Sequence, residues 1–158
     1  MVQEAIIKPV PNPKPFVQVA CICEKVLREN DDVPSLIRIV EVFTLEPPPK
    51  LPPGISASVT LPLTIFVALV AGDVVGEHTL SINLTRPNGT TTRVSDLPVV
   101  FVGGRGVNLQ IGFNLQSPEE GLYWFDVLWV DEVLTRIPVR FRIKSPMQAV
   151  AATASESK

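Results

Sequence analysis

Gly121-Leu-Tyr-Trp-Phe-Asp-Val-Leu-Trp-Val-Asp131, followed by Ile137-Pro-Val-Arg-Phe-Arg-Ile143, is the stretch on which the fold turns. Tyr123, Phe125, Val127 and Trp129 recur at every second position, the period of a strand that buries one face. Val139, Phe141 and Ile143 repeat that period in the next run, so the two segments read as neighbouring antiparallel strands. The alternation extends backwards along the chain. Val107, Leu109, Ile111, Phe113 and Leu115 share a face, and Leu80, Ile82 and Leu84 point inward between Thr79, Ser81, Asn83 and Thr85. No helical period persists for three turns. The pattern predicts an all-β chain, a single antiparallel β-sandwich of seven to nine strands. Its expected core holds Val19, Cys21, Ile65, Val67, Ile82, Leu84, Ile111, Phe113, Tyr123, Phe125, Val127 and Phe141.

Working outward, strand signals begin at Phe16-Val-Gln-Val-Ala-Cys-Ile-Cys23, and Glu24 to Ser35 reads as a charged connection. A second strand is expected over Leu36 to Leu45. Glu46 to Gly54 holds five prolines and cannot supply a ladder of sheet hydrogen bonds, so it should carry the chain from one sheet to the other. Val59 to Val70 is apolar almost throughout, as in a mid-sheet strand covered on both faces, with Pro62 placing its first residues at an edge or bulge. Pro87-Asn88-Gly89 marks a hairpin turn. The segmentation is an extended proline-rich arm over 1–15, one domain over 16–145 and a flexible tail over 146–158.

A chain of 158 residues suits one domain, and 46% apolar with 19% charged residues is a globular composition. The formal charge of −2 argues against nucleic acid, whose phosphates demand a basic excess or face. Leu61 to Ala71 is the most apolar window. At eleven residues, with Pro62 inside, it is too short to span a bilayer. The N-terminus lacks the charged and apolar regions of a signal peptide, so the expected location is cytoplasmic. Cys21 and Cys23 lie two apart in a strand, with Cα atoms about 6.5–7 Å apart and side chains running parallel. That spacing suits small buried residues better than a disulfide or a metal site.

Candidate catalytic groups are sparse. A nucleophile–histidine arrangement would have to use His78, the single histidine, which sits between Glu77 and Thr79 at a strand start. The pairs Asp31-Asp32, Glu119-Glu120 and Asp131-Glu132 fall in turns, where solvated carboxylates are ordinary. Gly103-Gly-Arg-Gly106 lacks the strand–loop–helix setting of a phosphate cradle and reads as an inter-strand turn. The expectation is a non-enzyme without cofactor or metal.

The strongest functional lead is the other face of the opening strand. Leu122, Trp124, Asp126, Leu128 and Val130 occupy positions that sandwich alternation would make polar. Arg140 and Arg142 alternate outward on the next strand and could flank Asp126. Aromatic and aliphatic residues framed by Asp and Arg have the composition of an interface centre. The competing reading is that a neighbouring segment, such as the arm 1–15, covers this row. The resulting expectation is a protein-interaction or assembly module, meeting another protein or a second copy of itself, with neither nucleic acid nor membrane as partner. A carbohydrate- or small-ligand-binding sandwich is the alternative, since Trp124 could stack on a sugar; a hydrolase through His78 is a third reading.

Val19-Ala-Cys-Ile-Cys-Glu24, Ser35-Leu-Ile-Arg-Ile-Val-Glu41, Gly76-Glu-His-Thr-Leu-Ser-Ile82, Arg86-Pro-Asn-Gly89 and the strand Gly121 to Asp131 follow one another in an order with a likeness elsewhere. It resembles a family of small bacterial β-sandwich proteins of unknown function, immunoglobulin-like in general character. There a Gly-x-Tyr-x-Phe-x-Val-x-Val-Asp-like strand precedes the last one. Trp129 stands where that pattern has a smaller apolar residue, and the cysteine–tryptophan–cysteine spacing of true immunoglobulin domains is absent.

Overall fold

Val130 and Asp131 turn the chain back within two residues, both with positive φ (46° and 65°), and Trp129 then pairs with Glu132. From this tight turn a long hairpin grows, and the rest of one sheet assembles on it. The computed structural model describes residues 13–47, 52–54 and 58–144, and among these it is all-β, without a helix. The strands are β1 (Phe16–Arg28), β2 (Pro34–Ile39), β3 (Val42–Leu45), β4 (Thr60–Val70), β5 (Gly76–Thr85), β6 (Thr91–Phe101), β7 (Val107–Gln116), β8 (Gly121–Trp129) and β9 (Glu132–Ile143). They form a four-stranded sheet in the order β2-β1-β4-β7 and a five-stranded sheet in the order β3-β9-β8-β5-β6.

One core joins the two sheets. Ile22, Ile65, Val67, Leu69 and Leu115 come from the first sheet; Leu80, Ile82, Phe101, Tyr123, Phe125, Val127, Val139 and Phe141 come from the second. Aromatic rings pin this core. Phe141 stacks on Phe43 at 5.2 Å between centroids and meets Tyr123 edge-on at 4.8 Å, while Phe113 meets Phe125 at 5.2 Å across the sheets.

Several expectations are corrected. The arrangement is not wholly antiparallel, because β3 runs parallel to β9. The expected strand Leu36–Leu45 is two strands in different sheets. The chain leaves the first sheet at Val40 and Glu41, with Val40 still donating to Ile22 and Glu41 already accepting from Arg140. The charged connection is also shorter than 24–35, since β1 runs on to Arg28 and β2 begins at Pro34.

Val19 and Cys21 do not face the inter-sheet core. A register shift between Val17 and Val19 changes the parity of β1, so Val17 faces the core before it and Ala20 and Ile22 face it afterwards. Val19, Cys21 and Cys23 instead join Phe66, Ala68, Val26 and Leu36 in a second cluster. Both cysteines are free; burial pushes both thiols up, with the neighbouring Cys23 adding to the effect at Cys21. Both side chains pack as small apolar groups in this second cluster.

Pro62 sits where β4 pairs only with β7, because the β1–β4 ladder covers Thr64 to Val70. The proline-rich segment joins β3 in one sheet to β4 in the other, although residues 48–51 and 55–57 lie outside the described residues. So do 1–12 of the expected arm and all of the expected tail.

Val130 has a cost that can be measured. A β-branched residue in left-handed backbone is disfavoured by roughly 1–2 kcal/mol, and turns of this kind favour Asn or Gly. The side chain is 71% exposed, so packing gives little in return. Val130→Asn is expected to raise the unfolding free energy by about 1 kcal/mol and the melting temperature by roughly 2–4 °C. A differential scanning measurement showing no gain would mean valine is not strained there.

Candidate functional site

The outer face of the five-stranded sheet is built by the non-core positions of β8, with β5 on one side and β9 on the other. Reading across, Leu122 lies opposite Arg140, and Trp124 opposite both Thr85 and Pro138. Asp126 lies opposite Asn83 and Arg136, and Leu128 opposite Ser81 and Val133. The expected row therefore exists as a row, but its members differ in access. Asp126 and Leu128 are each only 7% exposed, Leu122 and Trp124 are half-buried, and Arg140 and Arg142 are exposed. Val130 is not in the row at all; it forms the turn.

Arg136, not Arg140, is the partner of Asp126. Its Nη2 donates to Oδ2 at 3.4 Å, and its Nε stands 3.1 Å from Oδ1 without the alignment of a hydrogen bond. Sequence reasoning missed this because the register depends on two details. Counting back from the two-residue turn brings Thr135 opposite Asp126, and a bulge between Val127 and Leu128 shifts the match to Arg136. Arg140 instead stands beside Val42 of β3.

A polar network occupies the same face toward β6. Arg93 donates to Asn83 Oδ1 (3.0 Å), Ser81 Oγ (2.9 Å), Asp96 Oδ1 (2.9 Å) and Asp131 Oδ1 (3.3 Å). The Ser81 hydroxyl and then the Arg93 guanidinium hold the Asp96 carboxyl below the usual carboxylate range. Asp96 and Asp131 in turn raise Arg93. A carboxyl depressed in the folded state adds stability above its unfolded pKa and loses it as pH falls through the folded value. These groups are open to solvent, so the contribution is modest.

At the other end of the row the surface opens. A cleft of about 400 Å³ is lined by Ala20, Cys21, Ile39, Val42, Leu122, Ile137, Pro138 and Arg140, with Glu41 at its margin. It forms where the chain passes from β2 to β3. Because β3 pairs only with Arg140 to Ile143, the preceding part of β9 has no paired strand on that side among the described residues. Ile39 (59%) and Val42 (43%) are exposed beside it. Of these cleft residues only Leu122 and Arg140 belong to the interaction face expected from sequence, since the switch of sheets that gathers them is invisible in a periodic pattern.

The described end of the arm approaches the opposite end of the face. Lys14 pairs with Glu132, and Pro13 and Lys14 border a smaller hollow with His78, Trp129 and Val130. His78 packs on Trp129 at 4.6 Å between centroids, and its Nε2 is 2.9 Å from the Val75 carbonyl. The described residues contain no group of three or more His, Cys, Asp or Glu side chains able to hold a metal. No described helix is long and apolar enough to cross a membrane. No family model, curated protein or solved structure matches this chain.

Proposed function

We propose that the chain is a non-catalytic, immunoglobulin-like sandwich module that binds another protein through the Leu122–Trp124 end of its five-stranded sheet. The observation that carries this is the accessible apolar strip formed by Trp124, Leu122 and Pro138, continuous with the 400 Å³ cleft and rimmed by Arg140 and Glu41. Half-buried aromatics beside a concave apolar surface, with charge at the edge, are what interface centres are made of. Asp126 and Leu128, already buried, serve as its foundation rather than its contact surface.

Two features support the immunoglobulin-like part of this reading. The Tyr123 hydroxyl accepts from the Glu119 amide at 2.7 Å, at the corner where the chain enters β8, which is the geometry of a tyrosine corner. The adjacencies β4–β7 and β6-β5-β8-β9 match the B–E and C′-C-F-G neighbours of a variable-type domain. β1, inserted between β2 and β4, is an addition to that plan.

Trp124→Asp is expected to weaken partner retention by about thirtyfold, the scale of an aromatic hot spot, while the melting curve stays close to wild type. Leu122→Glu is the companion variant should Trp124→Asp fail to fold. Retention unchanged in a folded variant would refute the assignment. A carbohydrate reading has one observation in its favour. Thr85 lies beside Trp124, and its hydroxyl, 2.8 Å from that of Thr91 on the next strand, would offer a polar partner to a stacked sugar. Binding on a glycan array, abolished by the same variant, would select it.

A further inference from the structure

Sheets expose unpaired backbone at their edges, and proteins ordinarily guard those edges with charge, proline, bulges or brevity. Three of the four edges here are guarded. β2 has six residues, begins at Pro34 and carries Arg38 in left-handed backbone (φ 50°). β3 has four residues, and the stretch of β9 that it leaves unpaired carries Glu132, Arg136 and Pro138. β6 carries Arg93, Asp96 and Pro98, with a bulge opposite Ile82 and Asn83. β7 is the exception: Val107-Asn-Leu-Gln-Ile-Gly-Phe-Asn-Leu-Gln116 is ten residues long without a charge or a proline. Its ladder with β4 runs unbroken from Thr60↔Gln116 to Leu69↔Val107, so the strand is also regular. On its other side it has no paired strand among the described residues.

We infer that β7 is a self-association edge, joining a second copy of this chain antiparallel across a twofold axis through Ile111. A second copy is the fitting occupant because an antiparallel edge is its own complement: each copy brings the same row of N–H and C=O groups, reversed. A neutral strand also meets its copy without like-charge repulsion. Directly opposed residues must lie on the same face, which restricts the register to even sums of residue numbers. Centring on Ile111 sets Leu109 opposite the partner's Phe113, and Asn108 opposite the partner's Asn114. Leu109 and Phe113 are half-buried residues packed against the core, and this pairing would cover what they still expose. Asn108, Gln110 and Asn114 are exposed, so their amides can bond across the junction on the outer face. The edge belongs to the four-stranded sheet and the Trp124 strip to the other, so the two surfaces can be tested separately.

The experiment is light scattering of the full chain over a range of concentrations, with circular dichroism to verify folding. Wild type is expected to dimerise. N108K/N114K places lysines opposite each other twice per dimer, and dissociation should become at least about tenfold easier. N108K/N114E places Lys opposite Glu twice in the same register, and dimerisation should return. A wild type that stays monomeric at all concentrations overturns the inference. So does a dimer indifferent to N108K/N114K, and one lost in Trp124→Asp but kept in N108K/N114K would move self-association to the other face. A dimer broken by N108K/N114K and not restored by N108K/N114E overturns the Ile111-centred register.

Discussion

Phe141→Ala is expected to lower the unfolding free energy by about 3–5 kcal/mol, the range for emptying a buried phenylalanine site. For a domain of this size that is roughly 10 °C or more in melting temperature. The ring is fully buried and lies between two others, stacked on Phe43 and edge-on to Tyr123. Removing it leaves a cavity beside Tyr123, which is held in place by its bond from the Glu119 amide. The same change should loosen β3 selectively, since β3 is paired only with β9. Hydrogen exchange of Val42 to Leu45 is therefore expected to accelerate more than that of β4 or β8. A melting temperature within a few degrees of wild type would mean that Phe141 does not anchor the core.

Gly106→Ala should be nearly as damaging, by about 2–3 kcal/mol, although it adds a single methyl group. A Cβ at that position would stand 2.3 Å from the Leu69 carbonyl oxygen, an atom of the β4 backbone that cannot swing aside. Relief requires the start of β7 to move off β4, and with it the Leu69↔Val107 pair. Gly112, in the same strand, provides the control. A Cβ there meets nothing within 4 Å and the backbone is not left-handed, so Gly112→Ala should be neutral or slightly stabilising. Thermal or urea unfolding of the two variants side by side checks this. Equal effects from both would contradict the close approach at Gly106.

The contrast between these glycines shows where sequence reading ended. Gly103 to Gly106 was legible as a connection, and Gly103 and Gly104 do adopt positive φ there. That Gly106 is needed for clearance against a strand 37 residues earlier is a fact of packing, which no local pattern carries. The interaction face divides in the same way. Period-two alternation identified Leu122, Trp124, Asp126 and Leu128 as one row, because side-chain direction in a strand follows from backbone geometry alone. Which of them remain accessible, and that Arg136 rather than Arg140 reaches Asp126, depended on a bulge and on the neighbours across each strand.

By itself, the sequence determined the all-β character, the inward faces of β5, β7, β8 and β9, the Pro87–Gly89 hairpin and the mid-sheet position of β4. Each of these follows from local sterics and the burial of apolar side chains at a strand's own period. The tertiary structure alone decided the rest: the parity of β1, the division of 34–45 between two sheets, the parallel β3–β9 pair and the cleft this creates. These depend on long-range pairing. A one-residue bulge costs little locally yet turns every later side chain to the opposite face, so alternation is preserved in the sequence while its meaning is reversed.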